Sequence, residues 1–340
     1  MADPVPFLSV VIPTLDEERF IGPCIHSLLD DPYPRDRLEI LVVDGRSTDA
    51  TRAEVEAMRA EIPQLRLIDN PARLQSAAFN LAMVEADPRA TVLLRCDAHA
   101  LYTPGFMTRA VDTLEKSGAV LVAFTDRPIA EGAFQTAVAF SQSTPLGVGA
   151  ARYRLGGFSG WVDHGKHGCF SRAAVTAVGG YDESFSHNED GELSLRLREA
   201  GGKIWLDADL VVGYSPRATP RSLARQYYLY GRGRALTCLK HRIVPSPRQM
   251  LPPLLVLWHG ALLLGARRRP RLLAPIAVYL ATLTGFGAWA AARRRDPRLL
   301  LSPAVLAIMH HAWGGGFLTR VGGRLVGLSK ILRRRRARAA

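Results

Sequence analysis

The chain lacks three things. It has no closely spaced cysteines, no basic leader ahead of an apolar run, and, beyond residue 209, no acid except Asp296. Cys24, Cys96, Cys169 and Cys238 stand far apart with no C-x-x-C pair, which argues against a disulfide framework or a zinc ribbon and for reduced thiols in a cytosolic domain. The opening MADPVPFLSVVIP carries Asp3 and no basic residue, so no cleaved signal peptide is expected and the catalytic part should face the cytoplasm. The scarcity of acid divides the chain: residues 1–209 carry a formal charge of −10 and residues 210–340 one of +23. In the second part the basic residues alternate with apolar runs. That pattern fits the surface of anionic membrane lipids and argues against nucleic acid as a partner.

What is present in the first part is strand and helix alternation. Apolar runs at Phe7 to Ile12, Leu38 to Val43, Leu65 to Ile68 and Thr91 to Arg95 are separated by helical patterns at Glu54 to Ile62 and Leu74 to Glu85. Such alternation predicts an α/β fold with a largely parallel, Rossmann-like sheet and helices on both faces. Ligands of such sheets bind beyond the carboxyl ends of the strands, which directs attention to four polar loops: Pro13 to Glu18, Asp44 to Asp49, Asn70 to Arg73 and Asp97 to His99. From residue 119 the pattern loosens, then tightens at Gly168 to Gly180 and at a helix from Glu189 to Ala200. This reads as a second half-domain around an acceptor cleft.

The domain boundary expected from sequence lies near residue 245, with a catalytic domain at 1–245 and a membrane-anchoring region at 246–340. The anchor holds apolar stretches at about 254–266, 272–292 and 299–319, and a basic tail. The latter two reach about 20 residues, the length that spans a bilayer as a helix; the first is short and reads as interfacial. Basic clusters follow every stretch and contradict one another as topology markers, so two spans with both ends cytoplasmic is the simplest arrangement. His310 and His311, costly in lipid, are expected to face protein or the interface.

A nucleoside diphosphate needs acceptors for its base and ribose and a divalent cation for its phosphates, commonly held by one or two carboxylates. The four loops offer Pro13, Thr14, Glu17, Asp44, Ser47, Arg73 and Asp97 as candidate contacts for such a ligand. A helix-capping turn accounts for Asp44 and Ser47 equally well. Asp97 and His99, two residues apart on an extended segment, point to one side and can share a cation, Mn²⁺ somewhat better than Mg²⁺. Glu189 and Asp190 open a helix, where a carboxylate either serves as a base or simply complements the helix dipole. His164 precedes and Gly168 opens the second tight segment, and Arg225, Gln226 and Arg232 form a basic strip interleaved with tyrosines. That strip suits either a diphosphate or lipid headgroups.

Together these segments resemble a known family. Val10–Glu18 (VVIPTLDEE), Val42–Thr51 (VVDGRSTDAT), Asp97–His99 (DAH) and His187–Asp190 (HNED) occur in the order and spacing of inverting family-2 glycosyltransferases. Leu94–Tyr102 (LRCDAHALY) and Tyr227–Arg234 (YYLYGRGR) are most similar to the succinoglycan-biosynthesis glucosyltransferase group. The resemblance covers roughly residues 7–245. It implies a GT-A fold, a UDP-sugar donor, a divalent cation (Mn²⁺ or Mg²⁺) and Asp190, with Glu189 beside it, as the catalytic pair. It also implies that the stretch holding His164 and Gly168 lines the acceptor cleft. Asp16 stands where the family usually has Asn, and His99 where it usually has a second Asp. The Q-x-x-R-W signature of processive synthases is absent. The expected activity is transfer of a single hexose, glucose first, from UDP to a polyprenyl-diphosphate-linked saccharide at the inner membrane. A processive synthase and an inactive scaffold of the same fold are the alternatives.

Overall fold

The computed structural model describes residues 5–148 and 157–339, with side chains described to residue 147 and from 157 to 324. The chain divides into two compact units, Met1–Arg127 with Arg152–Tyr214, and Pro128–Ala151 with Ser215–Ala340. The second unit includes residues 215–245.

The first unit is built on one eight-stranded sheet of order β3-β2-β1-β4-β7-β5-β8-β6. Its strands are β1 (Phe7–Thr14), β2 (Leu38–Asp44), β3 (Leu65–Asp69), β4 (Ala90–Arg95), β5 (Leu121–Pro128), β6 (Gly160–Val162), β7 (Gly168–Ser171) and β8 (Ile204–Tyr214). Strands β1 to β4 pair in parallel, and β1 and β2 are buried along their whole length. Burial on both faces explains their unbroken Val, Ile and Leu runs. Helices α1 (Ile21–Leu29), α2 (Thr51–Arg59) and α3 (Gln75–Glu85) connect them, α4 (Phe106–Ser117) leads on to β5, and α7 (Arg172–Ala177) and α8 (Glu189–Glu199) follow β7. After residue 119, β7 inserts antiparallel between β4 and β5 and completes the same sheet. Sequence order concealed this, because β7 pairs across a long separation with a strand already flanked by a parallel neighbour. Two apolar layers form the core, one holding Ile12, Val42 and Met107, the other Val11, Phe79 and Phe170. All four cysteines are free and buried, and burial pushes the Cys24 thiol up to about 12.

The second unit is helical: α5 (Ala133–Gln142), α6 (Pro145–Val148), α9 (Pro220–His241), α10 (Pro247–Ala266), α11 (Ala274–Arg294) and α12 (Ser302–Ala339). Thr219 and Ser222 close a capping box at the start of α9, and Ser246 and Gln249 form one at the start of α10. The helix that covers the first apolar stretch begins at Pro247 and is 20 residues long, with Pro252 and Pro253 within it. Among the described residues, Pro247–Ala266 and Pro270–Arg294 are the segments long and apolar enough to cross a membrane. Leu254, Leu257, Trp258 and Leu264 of α10 and Val278 and Trp289 of α11 are exposed. Within the 299–319 stretch, Val305 and Met309 are buried with Leu223, Tyr227 and Val138. His310 donates through Nε2 to the Leu146 carbonyl at 2.9 Å, so its Nδ1 accepts from the Tyr279 hydroxyl at 2.9 Å. His311 meets His259 at 3.0 Å. Both histidines thus face protein. The side chains of the basic cluster Lys330 to Arg338 lie outside the described residues.

Candidate active site

The strand order reverses between β1 and β4, and a cavity of about 180 Å³ opens at their carboxyl ends. Pro13, Thr14, Glu17, Arg73, Asp97 and His99 line it, together with Leu15, Gly45, Asn70, Leu74, Gln75 and Ala98. Asp44 and Ser47 are not among the lining residues. The Asp44 carboxylate is fully buried, accepts from the Ser47 backbone N–H and hydroxyl, and pairs with Arg52 at 2.7 Å. It braces the loop that carries Gly45.

The loops after β1 and β2 are cross-linked. The Asp16 N–H donates to Ser47 Oγ at 2.8 Å, and the Thr48 N–H returns a bond to Asp16 Oδ1 at 2.7 Å. The Glu17 N–H donates to Thr51 Oγ1 at 2.8 Å, and the Glu18 N–H to Asp49 at 3.1 Å. What position 16 supplies is an acceptor, which Asp provides as well as Asn. Of the seven described non-glycine residues with positive φ, Asp16, Arg46, Arg73, His167 and Asn188 all lie at strand ends or turns of this unit. The other two, Arg242 and Arg295, close α9 and α11. Backbone held in that region costs roughly 1–3 kcal/mol per residue and collects where function requires it.

Asp97 is held from behind: its N–H donates to the Tyr102 hydroxyl at 2.7 Å, and the Cys24 thiol donates to its carbonyl at 3.5 Å. His99 turns to Glu17, Nδ1 to Oε1 at 3.0 Å, and that hydrogen bond raises the imidazole pKa above its ordinary value. The imidazole that approaches the Asp97 carboxylate is His167, Nε2 to Oδ2 at 3.2 Å. Sequence reading missed this pairing. It follows from register, because antiparallel β7 sets Gly168 opposite Arg95 and so carries His167 toward Asp97. Gly168 itself is buried in the sheet, where a Cβ would run into the Val122 carbonyl. His164 is half-buried and is not among the lining residues. Among the described residues no three His, Cys, Asp or Glu side chains form a metal cage.

Glu189 and Asp190 open α8, as the sequence predicts. Asp190 Oδ1 accepts from Arg95 Nη1 at 2.9 Å and from the Tyr181 hydroxyl at 2.7 Å. Asn80 fixes Tyr181 through its backbone at both N–H and carbonyl, and Phe79 packs edge-on at 5.2 Å. Arg95 is 1% exposed. Burial alone would lower its pKa, but Tyr181 and Asp190 leave it raised. Burial, and then the neighbouring Asp190, pushes the Glu189 carboxyl up to about 7. The sequence reading passed over the Arg95–Asp190 pair; a lone Arg ending an apolar strand gives no local signal of its partner 95 residues away. In the second unit, Gln226 Nε2 donates to the Tyr230 hydroxyl at 3.1 Å, Arg232 lies over the Tyr228 ring at 5.9 Å, and Arg225 is exposed.

Residues 9–176 match the family described as Glycosyl transferase family 2. The succinoglycan biosynthesis protein ExoA of Rhizobium meliloti is 40% identical over 309 residues, covering 91% of this chain and 93% of that protein. The chain belongs to glycosyl transferase family 2. It is a glycosyltransferase. A Methanococcus voltae enzyme, dolichyl N-acetyl-alpha-D-glucosaminyl phosphate 3-beta-D-2,3-diacetamido-2,3-dideoxy-beta-D-glucuronosyltransferase, is 26% identical over 69% of this chain and 74% of its own. In fold the chain is similar to mannosyltransferase PcManGT from Pyrobaculum calidifontis, solved with GDP-Man and Mn²⁺. That likeness has a TM-score of 0.61 at 20% identity and covers 90% of this chain and 86% of that one. The GT-A architecture expected from sequence is therefore present.

Proposed function

We propose that this glycosyltransferase is membrane-anchored, inverting and non-processive. It moves one hexose, glucose first among candidates, from UDP to a polyprenyl-diphosphate-linked saccharide in exopolysaccharide or cell-envelope assembly. The observation that carries the reading is the state of Asp190: one oxygen is tied to Arg95 and Tyr181, and the other takes part in neither bond. A carboxylate so fixed is suited to take the proton of an acceptor hydroxyl as that oxygen attacks the anomeric carbon. The new C–O bond forms on the face opposite UDP, the bond to the β-phosphate oxygen breaks with its electron pair leaving on UDP, and the configuration inverts. No second acid is needed, since no glycosidic oxygen is protonated.

The nucleotide-sugar occupies the cavity at β1 and β4, with Glu17, Arg73 and Gln75 at its walls. Asp97 and His167 would hold a divalent cation, Mn²⁺ or Mg²⁺, with His99 at the same wall. An O,N donor pair with remaining positions left to phosphate oxygens suits such ions. When bound, the cation neutralises the leaving diphosphate. The lipid-linked acceptor is supported by the relative from Methanococcus voltae, whose name specifies a dolichyl phosphate sugar, and the exopolysaccharide setting by the succinoglycan relative. The exposed apolar faces of α10 and α11 and the basic flanks support an anchor in the inner membrane among anionic lipids, with the catalytic unit facing the cytoplasm.

The test is a donor screen. Purified full-length protein with Mn²⁺ or Mg²⁺ should release UDP from UDP-glucose in the presence of a polyprenyl-diphosphate-linked saccharide and add a single sugar to it. Release from GDP-sugars alone, or a polymeric product, would overturn the reading.

A further inference from the structure

Arg95 does more in this structure than hold Asp190. Its second terminal nitrogen, Nη2, donates to Gln75 Oε1 at 3.0 Å, and Gln75 lines the nucleotide-sugar cavity as the first residue of α3. One guanidinium thus joins a donor-pocket side chain to the carboxylate proposed as base, with Tyr181 as a further partner at 2.9 Å.

The chemistry fixes how Gln75 is presented. A guanidinium has donors and no acceptor, so it must meet the amide oxygen of Gln75, and the Gln75 NH₂ is left to donate elsewhere. The group offered at the cavity wall is therefore a donor pair. A nucleotide-sugar brings acceptors that match it, hydroxyl oxygens of the hexose or oxygens of the diphosphate. Arg95 cannot rearrange cheaply when Gln75 moves. It is fully buried, its planar fork is committed on both sides, and its Nε has no hydrogen-bond partner among the described residues. A shift of Gln75 on donor binding is therefore passed to the carboxylate at the far side of the same plane.

We propose that Gln75 contacts the donor and that Arg95 is a positioning residue which ties donor occupancy to the placement of Asp190. The proposal rests on Asp190 being the base. Its consequence is an ordered site, in which the base reaches its working position when the donor is seated, before the acceptor hydroxyl is engaged.

A double-mutant cycle on the full chain tests it, with UDP and UDP-glucose as probes. Arg95→Lys keeps the charge but cannot bridge both partners. It should lower kcat about 100-fold, the scale of a misplacement of about 1 Å, while UDP affinity stays within about twofold. Gln75→Ala should raise the UDP-glucose KM and also lower kcat, each by about tenfold, the scale of one lost hydrogen bond. Weaker binding of UDP as well as UDP-glucose would place the contact on the diphosphate; weaker binding of UDP-glucose alone would place it on the hexose. Either result supports the contact. The double variant should be no slower in kcat than Arg95→Lys, because both changes break one chain. If Arg95→Lys does not fold, Tyr181→Phe replaces it in the cycle with the same expected non-additivity. Independent, multiplicative losses in kcat, or a Gln75→Ala effect confined to KM, would overturn the coupling. Asp190→Asn is the control that separates the two ideas. If it is inactive while the cycle is additive, the coupling alone fails; if it is active, the assignment of the base fails.

Discussion

Arg95 Nη1 lies 2.9 Å from Asp190 Oδ1, a buried cation from the end of β4 against the second residue of α8. Removing the carboxylate would leave a fully buried charge without its partner, a loss of about 3–5 kcal/mol in comparable pairs. Asn at position 190 keeps an oxygen for Arg95 and Tyr181 but cannot take a proton, whereas Ala keeps neither. Asp190→Ala should therefore be both inactive and strongly destabilised, with a melting temperature well below that of Asp190→Asn. Equal melting temperatures for the two variants would mean that the pair contributes nothing to the fold.

His167 is the second donor to the proposed cation site. Its φ of 50° makes Asn the appropriate replacement, since Asn tolerates the left-handed region better than Ala. His167→Asn should raise the Mn²⁺ concentration for half-maximal UDP release at least about tenfold, with the maximal rate at saturating cation less affected. An unchanged cation titration would remove His167 from the site and return the role to His99.

Glu189 supplies a pH test. Its folded-state pKa of about 7 lies above the ordinary value of 4.5, raised first by burial and then by Asp190. Between those values the folded protein holds a proton that the unfolded chain has released, so stability falls as pH rises through that window. Glu189→Gln removes the titration. The variant should therefore gain melting temperature relative to the native protein at about pH 8 and gain less at about pH 5. A difference that does not change with pH would contradict the raised value.

The parts of this molecule that sequence could disclose are those set by local pattern. Buried parallel strands write continuous apolar runs, so β1 to β4 and the loops at their ends were legible, as was the acidic start of α8 at Glu189. What escaped depends on contacts between distant segments. The pairing of His167 with Asp97 and of Arg95 with Asp190 arises only when β7 inserts beside β4 and α8 follows it. Asp44 stays open to both readings, because a buried acid bracing its own turn and an acid reading a nucleotide have the same local sequence. Nor does local pattern place the third apolar stretch, because a helix packed among α5 and α9 is as apolar as one facing lipid.

Close helix packing in the second unit gives a further test. Gly231 of α9 and Gly316 of α12 approach backbone so closely that an added Cβ would run into the carbonyls of Trp313 and Tyr228 respectively. Backbone cannot move aside as a flexible side chain can. Gly231→Ala and Gly316→Ala should each destabilise the protein by about 1–3 kcal/mol, measured as a lower melting temperature in detergent. Gly315→Ala, which meets nothing within 4 Å, is the matched control and should change little.

The central claim is that Asp190 deprotonates the acceptor in a UDP-sugar-dependent transfer. The most direct test is single-turnover sugar transfer by Asp190→Asn, with UDP affinity measured on the same preparation. The account predicts loss of transfer by at least about 100-fold, at the lower end of the range for a general base, with UDP affinity unchanged. Transfer at the native rate by a variant that binds UDP normally would contradict it.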